Sequence, residues 1–386
     1  MESFLGYERK DGTVGTRNYV AIIPTVSCAN GVVAAIAGAV PEATPLYHGH
    51  GCGRGGADLV LHTKTLQNLA LNPNVAAFLV IGLGCEFINP VGLEMVAAMA
   101  NKPVKTLIIQ KEGGTRNTTE KGIQLAKELL AEVGKIPMAA CPLDKLIVGL
   151  ECGGSDSFSG ISANPAVGIA SDWVVDNGGT VILTETTEMI GTNHILKKRA
   201  ATPEVAQQID TIINDTDKVA WAVLGPLAKV SIAPGNMDGG MSSIREKSLG
   251  CIAKAGNRPI AQVVSYGERP REKGVIIMDG PGYDTESMTG VAASGAQVML
   301  FTTGRGQPIG YPIVPVIKIA SNSALYRNMA DDMDINAGSI LEGRSIEDVG
   351  HEIVEILKRV ISGQQTRAEI NRQTGIICMY TQHTSF

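Results

Sequence analysis

The sequence Val75-Ala76-Ala77-Phe78-Leu79-Val80-Ile81-Gly82-Leu83-Gly84-Cys85-Glu86 is the clearest indication of fold class in this 386-residue chain. It holds an uninterrupted apolar run that ends in glycines, which is typical of a strand buried on both faces of a parallel sheet. The run is far shorter than the roughly 20 residues that a membrane-spanning helix needs. It therefore predicts a strand at residues 76–82 with a loop at its carboxyl end.

Short apolar segments of the same kind alternate with helix-like segments through the first half of the chain. The predicted strands are residues 18–25, 44–47, 76–82, 105–110, 145–150 and 180–184, and the predicted helices are residues 30–38, 57–69, 91–99, 118–133 and 165–175. This βαβ alternation predicts an α/β fold with a Rossmann-like, mostly parallel sheet in residues 1–225. Further strands, at 275–278, 298–301 and 314–319, predict a second α/β domain in residues 226–386.

Composition and charge exclude several classes of protein. Charged residues make up 18% of the chain and the formal net charge is −5, without a long basic run, so no nucleic-acid partner is expected. Aromatic residues make up 4%, too few for a platform that stacks bases. The first residues lack the segments of a signal peptide, so we expect a soluble cytoplasmic protein, not bound to a membrane, with reduced cysteines.

Four cysteines occupy one recurrent position, since each follows a predicted strand. They are Cys28, Cys52, Cys85 and Cys152. The carboxyl ends of parallel strands meet at one edge of a sheet, where ligands bind, so we expect these thiols to face one cleft. Thiolates are soft ligands that suit iron, zinc or an iron–sulfur cluster. A single cysteine is more often a buried core residue, and this is the prediction for the three that lack this position, Cys141, Cys251 and Cys378.

Polar loops supply the candidate catalytic and substrate-binding side chains. The candidates for proton transfer, each near a strand end or a Gly-rich loop, are His48, His194 and Lys254. The candidates for pairing with a carboxylate, all in polar Gly-rich segments, are Arg245, Lys247 and Arg305. These groups predict a site for a small anionic molecule.

One motif points to a different class of enzyme. Gly51-Cys52-Gly53-Arg54-Gly55-Gly56 fits the G-x-G-x-x-G pattern of dinucleotide-binding proteins. It follows the second predicted strand instead of the first, and no acidic residue lies about 20 residues further on at the end of the next strand. A Rossmann-type NAD oxidoreductase is therefore an alternative interpretation that the sequence supports weakly.

Longer motifs carry a resemblance that covers nearly the whole chain. Among them are Gly6-Tyr7-Glu8-Arg9, Gly82-Leu83-Gly84-Cys85-Glu86, Cys152-Gly153-Gly154-Ser155-Asp156, Glu246-Lys247-Ser248-Leu249-Gly250, Thr302-Thr303-Gly304-Arg305-Gly306 and Asp334-Ile335-Asn336-Ala337-Gly338. In these motifs the chain resembles the large catalytic region of the altronate/galactarate dehydratase family. The resemblance implies an iron-dependent lyase that removes water from a hexonic or hexaric acid and gives a 2-keto-3-deoxy acid.

The resemblance also suggests roles for the candidate residues. The four strand-end cysteines would hold iron, either as Fe²⁺ or in an iron–sulfur cluster. A base must take the proton next to the substrate carboxylate, and cations must stabilise the enediolate that forms. The carboxylate would be held by the three predicted cations, and the predicted histidines and Lys254 would move protons.

The resemblance includes a branch with a different leaving group. In sulfolactate sulfo-lyases the small subunit is a separate chain and the leaving group is sulfite, so this activity is the alternative within the same class. Fused dehydratases begin with a small domain, and this chain resembles them from the region after it. We therefore expect a separately encoded small subunit and an oligomeric enzyme. A non-catalytic iron–sulfur module is a further alternative, but it would not need carboxylate-binding loops.

Overall fold

The computed structural model describes residues 2–230 and 232–385, and two parallel sheets form its framework. The strands of the first sheet are β3 (Tyr19–Pro24), β4 (Ala43–Pro45), β5 (Val75–Gly82) and β6 (Val104–Ile108), in the order β4-β3-β5-β6. Its helices are α1 (Asn30–Ala39), α2 (Gly56–Ala70), α3 (Pro90–Met99) and α4 (Thr115–Val133). Every residue of β5 is buried, as its apolar run predicts.

The second sheet is larger and is also entirely parallel. Its strands are β8 (Ile147–Cys152), β9 (Thr180–Leu183), β10 (Ile260–Val264), β11 (Gly274–Met278), β12 (Val298–Thr303), β13 (Val316–Ala320) and β14 (Ile335–Asn336). They lie in the order β10-β11-β9-β8-β12-β13-β14. Parallel pairing requires a crossover between strands, and these crossovers place helices over the sheet.

The helices of this second part vary greatly in length. They are α5 (Ala163–Asp176), α6 (Asn193–Leu196), α7 (Pro203–Leu224), α8 (Pro234–Asp238), α9 (Ile244–Cys251), α10 (Asp284–Ala293), α11 (Ser323–Asn328), α12 (Ile346–Ile361) and α13 (Arg367–Ile370). None of the helices in the described ranges is long and apolar enough to cross a bilayer.

The boundary between the two parts differs from the predicted boundary at residue 225. Strands β8 and β9 precede that residue but pair with β12 and β11 of the second sheet. A small antiparallel sheet pairs β1 (Ser3–Glu8) with β2 (Val14–Gly15) and with β7 (Ala139–Pro142). Of these strands, β7 lies in the chain between the last strand of the first sheet and β8. The division into two α/β parts was predicted, but its position was wrong because the alternation of strands and helices continues unchanged across the true boundary.

A shared apolar core joins the two sheets. It contains Leu66 and Phe78 from the first part and Val291 and Met299 from the second. At the same junction the Asn72 Nδ2 donates a 2.8 Å hydrogen bond to the carbonyl oxygen at the end of α10. The two sheets are therefore held in one packed body.

An ion pair between the loop before β3 and the last helix, α13, gives a testable measure of how the chain ends pack together. Nε and Nη2 of Arg17 donate to the two carboxylate oxygens of Glu369 in α13 at 2.8 and 2.9 Å, and both side chains are largely buried. Burial raises the pKa of Glu369, but the hydrogen bonds and charge of Arg17 outweigh it and hold the pKa below its ordinary value. The pair therefore stabilises the fold when Glu369 is ionised.

Arg17→Met is expected to lower the free energy of unfolding by about 3 kcal/mol, because it leaves a buried carboxylate unpaired. Glu369 has a lowered folded pKa, so this stabilisation is present above its unfolded value of roughly 4.5 and is lost as the pH falls further. Urea unfolding at pH 7 and pH 4 measures both effects. The control is Arg258→Met, whose pair with Asp176 is exposed to solvent, so its loss should change the stability much less. Equal losses in the two variants would contradict the assignment.

Candidate active site

Acidic and thiol side chains collect at the carboxyl ends of two neighbouring strands of the second sheet. Cys152 is the last residue of β8, and Glu185 and Glu188 follow β9. Glu185 has a left-handed backbone (φ 66°, ψ 61°), an arrangement that costs a residue other than glycine about 1–3 kcal/mol and that occurs most often at functional sites. Its Oε2 accepts a 3.1 Å hydrogen bond from the backbone nitrogen of Cys152, which fixes the two strand ends together.

Two thiols and one carboxylate form a compact donor group. The Sγ atoms of Cys152 and Cys251 are 3.4 Å apart, and both donate to Oε2 of Glu188, at 2.7 and 2.9 Å. All three residues are buried. In the described part of the chain this is the only group of three His, Cys, Asp or Glu ligand atoms that lie within 4.8 Å of one another. We call Cys152, Cys251 and Glu188 the thiol–carboxylate triad.

Two lysines pair with the carboxylates at this site, one with Glu188 of the triad and one with Glu185. Lys247 forms an ion pair with Glu188, and Lys254 Nζ lies 3.1 Å from Oε2 of Glu185. Lys247, Cys251 and Lys254 are spaced four and three residues apart, so α9 and the turn after it present them on one face. Burial lowers the pKa of Lys254, but the surrounding thiols and carboxylates raise it well above its ordinary value. Lys254 is therefore held as a cation and not as a base.

The carboxyl groups of the site differ in proton affinity because their partners differ. Burial raises the pKa of Glu188, but the charge of Lys247 outweighs it and lowers the pKa below the ordinary value. Burial raises the pKa of Glu151 to about 8 and raises that of Glu185 well above its usual range. Neighbouring carboxyl groups whose pKa values are shifted in opposite directions are typical of sites for acid–base catalysis.

A cavity of about 420 Å³ opens beside the triad. Its charged lining residues are Glu188, Lys247, Asp284 and Arg305, and Asn236 and Tyr283 also line it. The carbonyl oxygen of Gly154 accepts hydrogen bonds from the backbone nitrogens of Gly304 and Arg305, at 2.9 and 2.7 Å, and so fixes the base of the Arg305 side chain. A methyl group at Gly153 would collide with the Asp284 carboxylate, so glycine is required there. The cavity suits a small acid with several hydroxyl groups.

The structure divides the four predicted cysteine ligands between two places. The thiols of Cys28, Cys52 and Cys85 are exposed and follow β3, β4 and β5 at the edge of the first sheet. Their loops are in contact: Ser27 N donates to His50 O at 2.8 Å, and Phe87 N donates to Gly51 O at 3.2 Å. Cys152 belongs to the second sheet and partners Cys251, so the prediction of one four-cysteine ligand set is wrong.

The predicted acid–base and anion-binding residues also separate. His48 is buried, its Nε2 lies 2.7 Å from the carbonyl oxygen of Pro24, and its Nδ1 accepts from His50 N at 3.2 Å. Burial lowers the pKa of His48 to about 4, so it is a neutral structural residue. His194 is exposed on α6, and neither it nor the exposed Arg245 lines the cavity, whereas Lys247 and Arg305 do.

The comparisons with known proteins agree with this geometry. The family described as "D-galactarate/Altronate dehydratase, C-terminal" matches residues 143–384, and "D-galactarate dehydratase/Altronate hydrolase, second domain" matches residues 6–134. The chain belongs to the D-galactarate/altronate dehydratase family. This confirms the resemblance found in the sequence. The gap between the two matches, residues 135–142, coincides with β7 and so with the observed boundary between the two parts.

Two dehydratases and one sulfo-lyase subunit are similar to this chain over most of its length. Altronate dehydratase of Bacillus subtilis (strain 168) is 37% identical over 380 residues, which cover 96% of this chain and 76% of the relative. Galactarate dehydratase (L-threo-forming) of Escherichia coli (strain K12) is also 37% identical, over 94% of this chain and 73% of the relative. The beta subunit of (2R)-sulfolactate sulfo-lyase from Chromohalobacter salexigens is 33% identical, over 95% of this chain and 94% of the relative.

Three residues of this dehydratase-family site were not predicted from the sequence. Glu185 and Glu188 satisfy the same strand-end rule that selected the cysteines, because they directly follow the buried strand β9. Cys251 was predicted to be structural, although it lies four residues after Lys247 on one helix face. The positions of these three residues after β9 and on α9 are visible in the sequence. Only the structure shows that α9 packs beside the loop after β9 and brings them together.

Proposed function

We propose that this chain is a hydro-lyase that dehydrates a sugar acid such as altronate or galactarate to a 2-keto-3-deoxy acid. The observation that carries the proposal is the thiol–carboxylate triad at the wall of a cavity that also contains Lys247 and Arg305. Such an arrangement can hold a Lewis acid and a substrate carboxylate side by side. The names of the relatives support the same class of reaction.

The triad fits an iron ion, which is the cofactor that we propose. Two thiols and a carboxylate are suitable ligands for Fe²⁺, and the three donor atoms lie close enough to bind one ion. With the thiols and with Glu185 and Glu188 ionised, the group would carry four negative charges, and Lys247 and Lys254 supply two positive charges. A divalent cation makes this buried group neutral, which removes the cost of an uncompensated buried charge. When bound, iron would polarise the departing hydroxyl group.

The chain's own residues have separable tasks in the reaction. Arg305 and Lys247 bind the substrate carboxylate and so draw charge from the adjacent carbon as its proton leaves. Asp284 lines the cavity, and burial raises the pKa of its carboxyl, which makes it a suitable base for that proton. The C3 hydroxyl then departs with a proton as water, and the resulting enol becomes the 2-keto acid. Tyr283 and the glycine loops enclose the substrate.

A second candidate activity is the elimination of sulfite from sulfolactate. A relative named as the beta subunit of (2R)-sulfolactate sulfo-lyase is 33% identical over 95% of this chain, which makes this activity the second candidate. The same base and carboxylate-binding groups serve either reaction, because both break a bond one carbon beyond the acidic proton. The printed name "subunit beta" also supports our proposal of a separately encoded small subunit, whereas an oligomeric state and a cytoplasmic location stay predictions from sequence.

An anaerobic substrate panel tests the proposed function. The chain, alone and with a co-expressed small subunit, is loaded with Fe²⁺ and incubated with altronate, galactarate and sulfolactate, and 2-keto acid and sulfite are scored separately. We expect 2-keto acid from a sugar acid and little sulfite. A Cys152→Ser preparation controls for host enzymes. Sulfite as the main product would replace the first candidate by the second, and no product from any of the three acids would contradict both.

A further inference from the structure

A lysine lies in the protein interior with no hydrogen-bond partner. Lys318, in the middle of β13, is fully buried, and its Nζ makes no hydrogen bond within the described ranges. The Nζ lies 3.3 Å from the centre of the Phe301 ring, whose face attracts a cation. An unpaired ammonium group at such a position is costly, so a lysine here needs a specific explanation.

The register of the second sheet places Lys318 beside the active site. Glu151 of β8 is paired with Phe301 of β12, and Phe301 is paired with Lys318 of β13, so the three residues lie side by side across adjacent strands. Glu151 is fully buried too, its Oε1 accepts a 2.8 Å hydrogen bond from Ser287, and its Oε2 has no partner. The row ends at Glu151, one residue before Cys152 of the thiol–carboxylate triad.

Charged groups face Lys318 from three directions. They are Glu151 on β8, Asp284 at the start of α10, and Asp332 and Asp334 in the segment before β14. Of these acids, Asp284 also lines the cavity. Its carboxylate and the ring of Phe301 both lie close to Gly153. Burial lowers the pKa of Lys318 to about 7, and the acidic groups only partly oppose this effect.

Two of the nearby acids already accept hydrogen bonds from other groups. The Asp334 carboxylate accepts hydrogen bonds from the backbone nitrogens of Lys318 and Arg367, at 2.7 and 2.9 Å. Burial raises the pKa of Asp334 to about 6. Asp284 accepts a 3.2 Å hydrogen bond from Gln307. In the part of the chain that the structure describes, no carboxylate forms an ion pair with Lys318, and an additional negative charge in the cavity would act on it without a competing partner.

We infer that Lys318 is mainly neutral in the free enzyme at pH 8 and takes up a proton from solvent when an anionic substrate enters the cavity. The substrate carboxylate adds negative charge above the Glu151–Phe301–Lys318 row and favours the ammonium form. The step balances as one amine plus one proton giving one ammonium. The inference rests on the proposed function, because it needs a carboxylate ligand in this cavity.

Protonated Lys318 would act as a positioning residue that works through Asp284. An anionic substrate next to Asp284 raises the proton affinity of that carboxylate and would convert the base into its inactive acid form. A cation behind Asp284 opposes this change and keeps the base ionised while substrate is bound. It also favours the negative enediolate that follows proton removal.

Calorimetric titration in two buffers tests the coupling. A non-reactive ligand, the 3-deoxy analogue of altronate, is titrated into the iron-loaded enzyme at pH 8 in phosphate and in Tris, whose ionisation enthalpies differ. The difference in observed heat gives the number of protons taken up per ligand. We expect about half a proton or more for the wild type. Lys318→Arg cannot be deprotonated and keeps a cation behind Asp284, so it should show almost no uptake.

A second measurement separates this inference from the proposed function. The chain is labelled at lysine Cε with ¹³C, and the Lys318 resonance is assigned by its loss in Lys318→Arg and followed with pH in the free enzyme. A midpoint near pH 7 supports the inference, whereas a midpoint above about 9 overturns it whatever ligand binds. Equal proton uptake by the wild type and Lys318→Arg also overturns it. Failure of the analogue to bind counts against the proposed function instead.

Discussion

Cys152→Ser is expected to abolish iron binding and activity together. The variant replaces a soft thiolate ligand by a hydroxyl group, which binds iron weakly at neutral pH. We expect the iron content after anaerobic loading to fall to about a tenth or less, and turnover to fall by more than about a hundredfold. Metal analysis of the desalted protein and a 2-keto acid assay on the same sample measure the two effects.

The matched control for this prediction is Cys141→Ser. Cys141 is as fully buried as Cys152, but it lies in β7 and outside the cavity. This variant should keep its iron and most of its activity, while Cys251→Ser should behave like Cys152→Ser. Retention of full iron content in both triad variants would show that the metal is held elsewhere, with the exposed thiols of the first sheet as the next candidates.

Lys254→Met is expected to lower the free energy of unfolding by about 3–5 kcal/mol at pH 8. The change leaves Glu185 fully buried without its cation. Burial already raises the pKa of Glu185 well above its ordinary value, so the unpaired carboxyl would be protonated in the folded variant. A raised folded pKa gives stability at low pH that is lost as the pH rises, so the deficit should be smaller at pH 5 than at pH 8.

The double variant Glu185→Gln/Lys254→Met distinguishes an unpaired charge from a loss of packing. A neutral amide at position 185 removes the buried carboxylate, so the double variant should recover more than about half of the lost stability. The control is Lys273→Met, whose pair with Asp144 is exposed and should contribute less than about 1 kcal/mol. A deficit that does not change with pH, or no recovery in the double variant, would contradict the role given to this pair.

Much of the fold follows from local sequence pattern. The apolar run that became β5 and the amphipathic segments that became α4 and α12 carry strong signals, since burial on both faces or on one face dictates their composition. The two-residue strands β2 and β14 were not predicted, because they are defined by partners distant in sequence and not by their own residues. The order of the strands in the second sheet was not predicted either, because it also depends on pairing between segments that are distant in sequence.

The candidate site was predicted only in part. Cys152, Lys247 and Arg305 were identified because strand ends and polar Gly-rich loops are visible in a sequence. The association of Cys152 with Cys251 depends on α9 packing against the loop after β9, which no local pattern reveals. Lys318 was not singled out, since its position in an apolar strand gives no hint that acidic groups of three other segments surround it.

X-ray absorption at the iron edge tests the central claim most directly. The claim is that a single iron ion is held by the sulfurs of Cys152 and Cys251 and by the carboxylate of Glu188. The iron-loaded wild type should then show two sulfur neighbours per iron at about 2.3 Å, with oxygen or nitrogen completing the shell. The number of sulfur neighbours per bound iron should fall from two to one or fewer in Cys251→Ser. An iron–iron distance typical of a cluster, or an iron shell without sulfur, would contradict the account.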